Sequence, residues 1–350
     1  VAVTMKDVAR EAGVSIKTVS NVFNDYPFMR PETRQRVLVA AERLSYVMNQ
    51  SARSLRSGRS GVIGLAIPEL RNAYFAELAD AVMEAADRRG WTVVIRLTAG
   101  ERQREVDVLH GSAATTYDGL LLNALALSDG DAELLGGQVP TVLLGDHVAQ
   151  APIDHVTMPN IAAARAVTAH LLEQGRQRIA VIGAHEGEVV GSAGLRLQGY
   201  RDAHQAAGLA VDEGLIGYVQ RWHRSDGAIT MQTVLDRGAP VDAVFGLNDM
   251  LALGAMRTLQ DNGFVVPRDV AVAGFDNLEE SRYSLPTLTT VDPGVAEIAE
   301  RSLMILENRL AGNTDPVGQV QSAFSLAVRG STDPEASDVL APPSLVVQPS

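Results

Sequence analysis

Three features of the 350-residue chain predict a small N-terminal all-α helix-turn-helix head followed by an α/β core of two doubly wound parallel-sheet subdomains. The first is charge: residues 1–60 hold ten Lys and Arg against five Asp and Glu, so a head of +5 precedes a body of −17. The second is a set of three short amphipathic patterns confined to the first 44 residues. The third is an alternation of apolar runs with glycine-closed helical patterns, which begins at Gly61 and restarts near residue 160. Alternation of that kind implies parallel sheets covered on both faces.

In the head, Met5, Val8, Ala9 and Ala12 recur at helical spacing and Gly13 stops the pattern. Ser15 is suited to cap a second helix over 16–23, whose inner side is Val19, Val22 and Phe23. A third helix opens at Pro31, a residue favoured at the first helical position, and runs to Leu44 with Val37, Leu38, Ala41 and Leu44 inward. Ala9, Gly13 and Val19 give the small-residue framework that lets two helices cross closely in a helix-turn-helix. A basic head on an acidic body implies a polyanion partner, most simply nucleic acid.

In the body, strands are predicted at 62–67, 91–97, 119–122, 141–144, 179–182, 243–247 and 270–275, with a helix over 161–174. Ligands of such sheets bind beyond the carboxyl ends of the strands. Two halves facing each other make that place a cleft.

Several function classes are excluded as expectations. Zero cysteines removes disulfide frameworks, cysteine-ligated metal sites and thiol nucleophiles. No apolar run approaches the roughly 18–20 residues needed to span a bilayer, and 1–10 carries no signal-peptide core, so a cytoplasmic protein is expected. There is no Walker loop, dinucleotide fingerprint, nucleophile elbow or His-Glu-x-x-His, and the seven His are scattered. No enzyme activity, cofactor or metal is therefore expected.

The string Met5-Lys6-Asp7-Val8-Ala9-Arg10-Glu11-Ala12-Gly13-Val14-Ser15-Ile16-Lys17-Thr18-Val19-Ser20-Asn21-Val22-Phe23-Asn24 resembles the head of the lactose-repressor (LacI/GalR) family of bacterial transcriptional regulators. The resemblance implies that Ile16, Lys17 and Asn21 read bases. Lys17 suits guanine O6 or N7, Asn21 suits adenine, and Ile16 suits a thymine methyl. Thr18 and Ser20 are expected near phosphates, which position the helix without reading sequence, and the capping Ser15 is counted with them as DNA-binding. It implies further that 49–60 is a hinge helix, ordered only on operator DNA, whose Leu55 wedges into the minor groove beside Ala52, with Arg53 and Arg56 flanking.

The same resemblance, which covers about 4–330 and extends to periplasmic sugar-binding proteins, implies effector contacts in the cleft. Tyr74 and Phe75 would line it, although Phe75 reads equally as core. Arg196 would fork onto ligand oxygens, Trp222 would cover an apolar ligand face, Asn248 would stand in the cleft with Asp249 capping a helix, and Asp276 would accept from hydroxyls. The expected boundaries are 1–48 for the head, 49–60 for the hinge, 61–330 for the core and 331–350 for a disordered tail. Within the core, 61–160 joins 291–322 as one subdomain and 161–290 joins 323–330 as the other.

The function implied is a repressor that binds a near-palindromic operator as a homodimer under control of a small effector, expected to be a carbohydrate. Alternatives are a purine held between Tyr74 and Phe75, a sugar receptor, or an enzyme of doubly wound fold. Some relatives tetramerise through a C-terminal leucine-heptad helix, for which Pro334, Pro342, Pro343 and Pro349 leave no room.

Overall fold

A computed structural model describes residues 3–23, 26–46, 59–148, 152–316 and 318–336. The chain divides after residue 60 into two compact units. The predicted hinge residues Ala52, Arg53, Leu55 and Arg56 lie outside the described residues.

The head is three helices: α1 (Met5–Ala12), α2 (Ile16–Phe23) and α3 (Pro31–Arg43). The first turn of α1 is closed by Asp7, whose carboxylate accepts from the Thr4 backbone N–H at 3.0 Å and the Thr4 hydroxyl at 2.6 Å. Its last turn ends on Gly13 at φ 63°, where the chain must turn left-handed to hand its N–H back to the helix carbonyls. Ser15 caps α2 through Thr18 N at 3.1 Å. Val8, Ala9 and Ala12 close against Val19, Val22, Val37, Ala40 and Ala41 as one buried cluster. Leu38, expected inside, is 41% exposed, and Ala40 takes its place. Counting three and four residues on from Val37 selects 40 and 41, not 38.

The core contains two six-stranded sheets. The first comprises β1 (Val62–Ile67), β2 (Thr92–Leu97), β3 (Gly119–Asn123), β4 (Thr141–Leu144), β5 (Asp154–Thr157) and β11 (Gln319–Gln321), in the order β2-β1-β3-β4-β5-β11. The second comprises β6 (Ile179–Ala184), β7 (Ile216–Tyr218), β8 (Ala243–Gly246), β9 (Ala271–Phe275), β10 (Thr289–Asp292) and β12 (Ser325–Ala327), in the order β7-β6-β8-β9-β10-β12. Every pairing is parallel except β10 with β12. The central strands are buried along their whole length, which is why they read in sequence as unbroken apolar runs.

Helices α4 (Ala73–Asp87) and α10 (Val295–Leu310) pack together on the first sheet, which also carries α5 (Arg102–His110). The second sheet is covered by two tight pairs, α6 (Asn160–Glu173) with α7 (Ser192–Ala206), and α8 (Arg224–Asp236) with α9 (Asp249–Asp261). The chain crosses between the subdomains three times: from β5 to α6, from β10 to α10, and from β11 to β12. Among the described residues no helix is long and apolar enough to cross a membrane.

The core runs past residue 330, where a disordered tail was expected. Ser331 is fully buried: its backbone N–H donates to the Thr287 carbonyl at 2.8 Å and its hydroxyl to the Val272 carbonyl at 2.5 Å. Ser331 lies in the turn after β12, and a serine offers no apolar signal, so its burial is invisible in composition.

The helix pairs meet at glycines. A Cβ on Gly254 of α9 would strike the Arg224 carbonyl, and one on Gly227 of α8 would strike the Leu251 carbonyl. In an isolated helix Gly254→Ala would gain about 1 kcal/mol from propensity. Here the obstacle is backbone, which cannot rotate away, and overpacking of this kind costs about 1–3 kcal/mol. Gly254→Ala is therefore expected to lower the urea midpoint of the core; a rise would show that the crossing can open without cost.

Candidate functional site

On the head, α2 presents Ile16, 44% exposed, beside exposed Lys17, with Asn21 half-exposed one turn on. Ile16 thus leaves much of an apolar side chain to solvent at the start of a helix whose Val19 and Val22 are inward. Ser15 and Thr18 are joined hydroxyl to hydroxyl at 2.9 Å and serve the helix cap. Ser20, expected near a phosphate, is only 5% exposed on α2.

The core site lies where strands of both sheets end. Arg196, on α7, is buried and all its neighbours converge on the guanidinium. Its Nε donates to Asn160 Oδ1 at 2.8 Å, one terminal nitrogen donates to the Leu247 carbonyl at 2.5 Å, and that nitrogen lies 3.5 Å from Asp276 Oδ1. The planar cation sits 3.5 Å from the Phe275 ring centroid and 5.2 Å from that of Trp222. Trp222 is oriented by its own Nε1–H, which donates to the Gly183 carbonyl at 2.8 Å.

Asn160 continues the chain of bonds into the first subdomain, donating to Asp146 Oδ2 at 2.5 Å, where Ser192 also donates at 3.4 Å. Burial pushes the Asp146 carboxyl up to about 6 against the pull of Arg196. Burial likewise raises Asp276 well above the usual carboxylate range, and lowers Arg196 from its ordinary value without neutralising it. Tyr74 faces the same charges: burial, then Asp276, holds its hydroxyl firmly protonated. Asp276 adopts φ 114°, a left-handed backbone rare outside glycine. Its N–H is held by the Val291 carbonyl at 2.9 Å. Strain retained in a hydrogen-bonded strand end beside a buried cation is the pattern of a functional position.

Several expectations change. Phe75 belongs to the core of the first subdomain, and its ring stands 69° from that of Tyr74, so the two cannot sandwich one flat base. Asn248, not Asp249, caps α9, accepting from Leu251 N at 2.8 Å. Asp249 instead accepts from Leu278 N at 2.9 Å, Ser281 Oγ at 2.6 Å and Thr290 Oγ1 at 2.5 Å, tying the loop after β9 to the sheet. A helix start offers one capping position, and the residue after it faces the fold. Asp146, Asn160 and Phe275 were missed. Asn123 was missed too: it ends β3 with a buried Oδ1 that has no partner. For Asn123 the available signal was a polar residue directly following an apolar run, which is also how an ordinary loop begins.

Contacts also bridge the halves: His223 Nε2 with Glu69 Oε1 at 2.7 Å, Ala73 N with Met250 Sδ at 3.4 Å, and Glu279 N with Glu77 Oε1 at 3.0 Å. Among the described residues no three His, Asp or Glu are grouped to hold a metal ion. Buried donors and acceptors around an aromatic face suit a small polyhydroxylated ligand.

Residues 4–49 match the family model for bacterial regulatory proteins of the lacI family, and 168–332 match that for a periplasmic binding protein-like domain. The HTH-type transcriptional regulator CelR of Thermobifida fusca is 35% identical over 337 residues, 94% of this chain and 98% of that protein. Among solved structures, a CelR–cellobiose complex is 30% identical with a TM-score of 0.69, covering 94% of this chain and 99% of that one. The lac repressor dimer bound to operator and the anti-inducer ONPF is 29% identical with a TM-score of 0.81, covering 95% and 99%.

Burial pushes the Asp249 carboxyl up to about 7. A folded pKa above the unfolded one favours folding only while the group keeps its proton, so this contribution is complete below about pH 4 and is lost as pH rises to about 7. Urea titrations across that window should show the wild type losing stability relative to Asp249→Asn, with the two running parallel above it. A constant difference throughout would contradict burial as the dominant influence.

Proposed function

The chain belongs to the lacI family of bacterial regulatory proteins, and from that premise we propose how its two units divide the work of regulation. It is a DNA-binding transcriptional regulator and not an enzyme. The head binds a near-palindromic operator as one half of a homodimer, because a two-fold protein matches a two-fold site. Such a regulator works in the cytoplasm, where the chromosome lies. Ile16, Lys17 and Asn21 read bases, and Ser15 and Thr18 stand near phosphates. Residues 49–60 carry the minor-groove contact through Leu55, with Ala52, Arg53 and Arg56 beside it.

The core binds a carbohydrate. The observation that carries this reading is the Arg196 guanidinium held between Phe275 and Trp222 with Asp276 beside it: fixed donors and acceptors for hydroxyls next to an aromatic face. CelR in complex with cellobiose supports a sugar over a purine, as does the angle between Tyr74 and Phe75. Asn248 supports the site from beneath as a cap. Because the site draws residues from both halves, a ligand that prefers one arrangement of the halves shifts operator affinity by its difference in affinity between arrangements, and by no more.

Two measurements test these readings. Lys17→Ala should lose about 1–3 kcal/mol of discrimination at one base pair; an equal loss on operator and random DNA refutes base reading by Lys17. In a thermal-shift panel of cellobiose, glucose, galactose and ribose, a sugar at 100 times its dissociation constant stabilises the core by about 2.7 kcal/mol. Asp276→Asn should weaken that sugar at least tenfold; unaltered affinity would place the ligand elsewhere.

A further inference from the structure

The loop that follows β6 carries a histidine no part of the site so far has used. His185 stands at the carboxyl end of that strand with its ring centroid 5.9 Å from that of Trp222. Its Nδ1 is 2.6 Å from Glu188 Oε2, while its Nε2 is buried and has no hydrogen-bond partner. Glu188 is itself fixed, since its other oxygen accepts from Ala193 N at 3.2 Å and Gly194 N at 3.3 Å at the start of α7. Burial works against this carboxylate, but the bonds from His185 and from the helix start hold it below the usual range. The ring of His147, from the other subdomain, lies with Glu188 where a side chain on residue 191 would have to go.

A carboxylate partner selects between the two tautomers of a neutral ring. In neutral imidazole one nitrogen carries the proton and the other is an acceptor, and a carboxylate partner takes the protonated one. Glu188 therefore holds the proton on Nδ1 and leaves Nε2 as a bare acceptor. A buried acceptor without a donor is costly, and that cost ends when a ligand supplies an O–H.

We propose that His185, held in its Nδ1–H tautomer by Glu188, is an effector-binding residue that accepts a hydrogen bond from one ligand hydroxyl beside the Trp222 face. Glu188 is the positioning residue. This rests on the sugar reading of the core and adds a preference: the effector must carry a donor at that position, so an analogue with the hydroxyl removed or methylated is disfavoured. A site built around a hydroxyl rejects the analogue lacking it far more strongly than an apolar pocket discriminates size.

The whole chain, labelled with 15N histidine, is studied at about pH 8, where an ordinary imidazole is neutral. Without ligand, the His185 nitrogen shifts should report a proton on Nδ1, and Glu188→Gln should allow the other tautomer to appear. A proton on Nε2 in the wild type overturns the proposal. Cellobiose and D-glucose are then the probes, together with their monodeoxy analogues. The sugar that binds should move the His185 Nε2 resonance, and His185→Leu should weaken it about tenfold. One deoxy analogue should bind wild type about tenfold more weakly than its parent yet bind His185→Leu as well as the parent does, a pattern that a merely structural role would not produce. If a sugar binds, Nε2 is unmoved and His185→Leu retains full affinity, this inference fails while the sugar reading stands. If no sugar binds, the sugar reading fails and takes this inference with it.

Discussion

A guanidinium cannot be taken out of water unless each face and edge is given a substitute, and the core is arranged around that requirement at Arg196. Its edges meet Asn160, the Leu247 carbonyl and Asp276, and its faces meet Phe275 and Trp222. Those partners come from the ends of β8 and β9, the start of α6 and the segment before α8. None is local to α7, so the charge stays buried only if the second subdomain has folded completely around it.

The same cluster joins the two halves. Asn160 is bound at once to Arg196 and to Asp146, and Asp146 belongs to the loop after β4 in the first sheet. A ligand that replaces or adds one partner in this set alters the balance between halves, since buried polar groups tolerate few incomplete arrangements. Asp249 performs a related task one layer away. By gathering Leu278, Ser281 and Thr290 it fixes the loop that begins with the left-handed Asp276 and Asn277. The unfavourable backbone at Asp276 is thus held by bonds that do not involve a ligand.

The head depends on different physics. Its buried side chains are mostly Val and Ala, so close approach of short helices replaces bulk as the source of cohesion. An apolar Ile16 and a charged Lys17 remain outside because α2 has already committed its other face to α1 and α3.

Elements whose evidence is periodic were legible without coordinates. The bounds of α1 and α2, the strands from β1 to β4, β6, β8 and β9, and the division into a basic head and an acidic body all follow from apolar spacing, caps and charge, which act within a few residues of the chain. Family motifs singled out Arg196, Trp222 and Asp276, which the fold brings together. Tertiary structure alone decided what depends on distant partners: Phe75 in the core and Tyr74 at the charges, the cap at Asn248 and the clamp at Asp249, the closed position of Ser20, the buried Ser331, and the place of Asp146 and Asn160 in the cluster. A polar residue at the end of a strand has the same local sequence whether it turns to solvent or to a buried cation; only the surroundings supplied by the other elements distinguish the two.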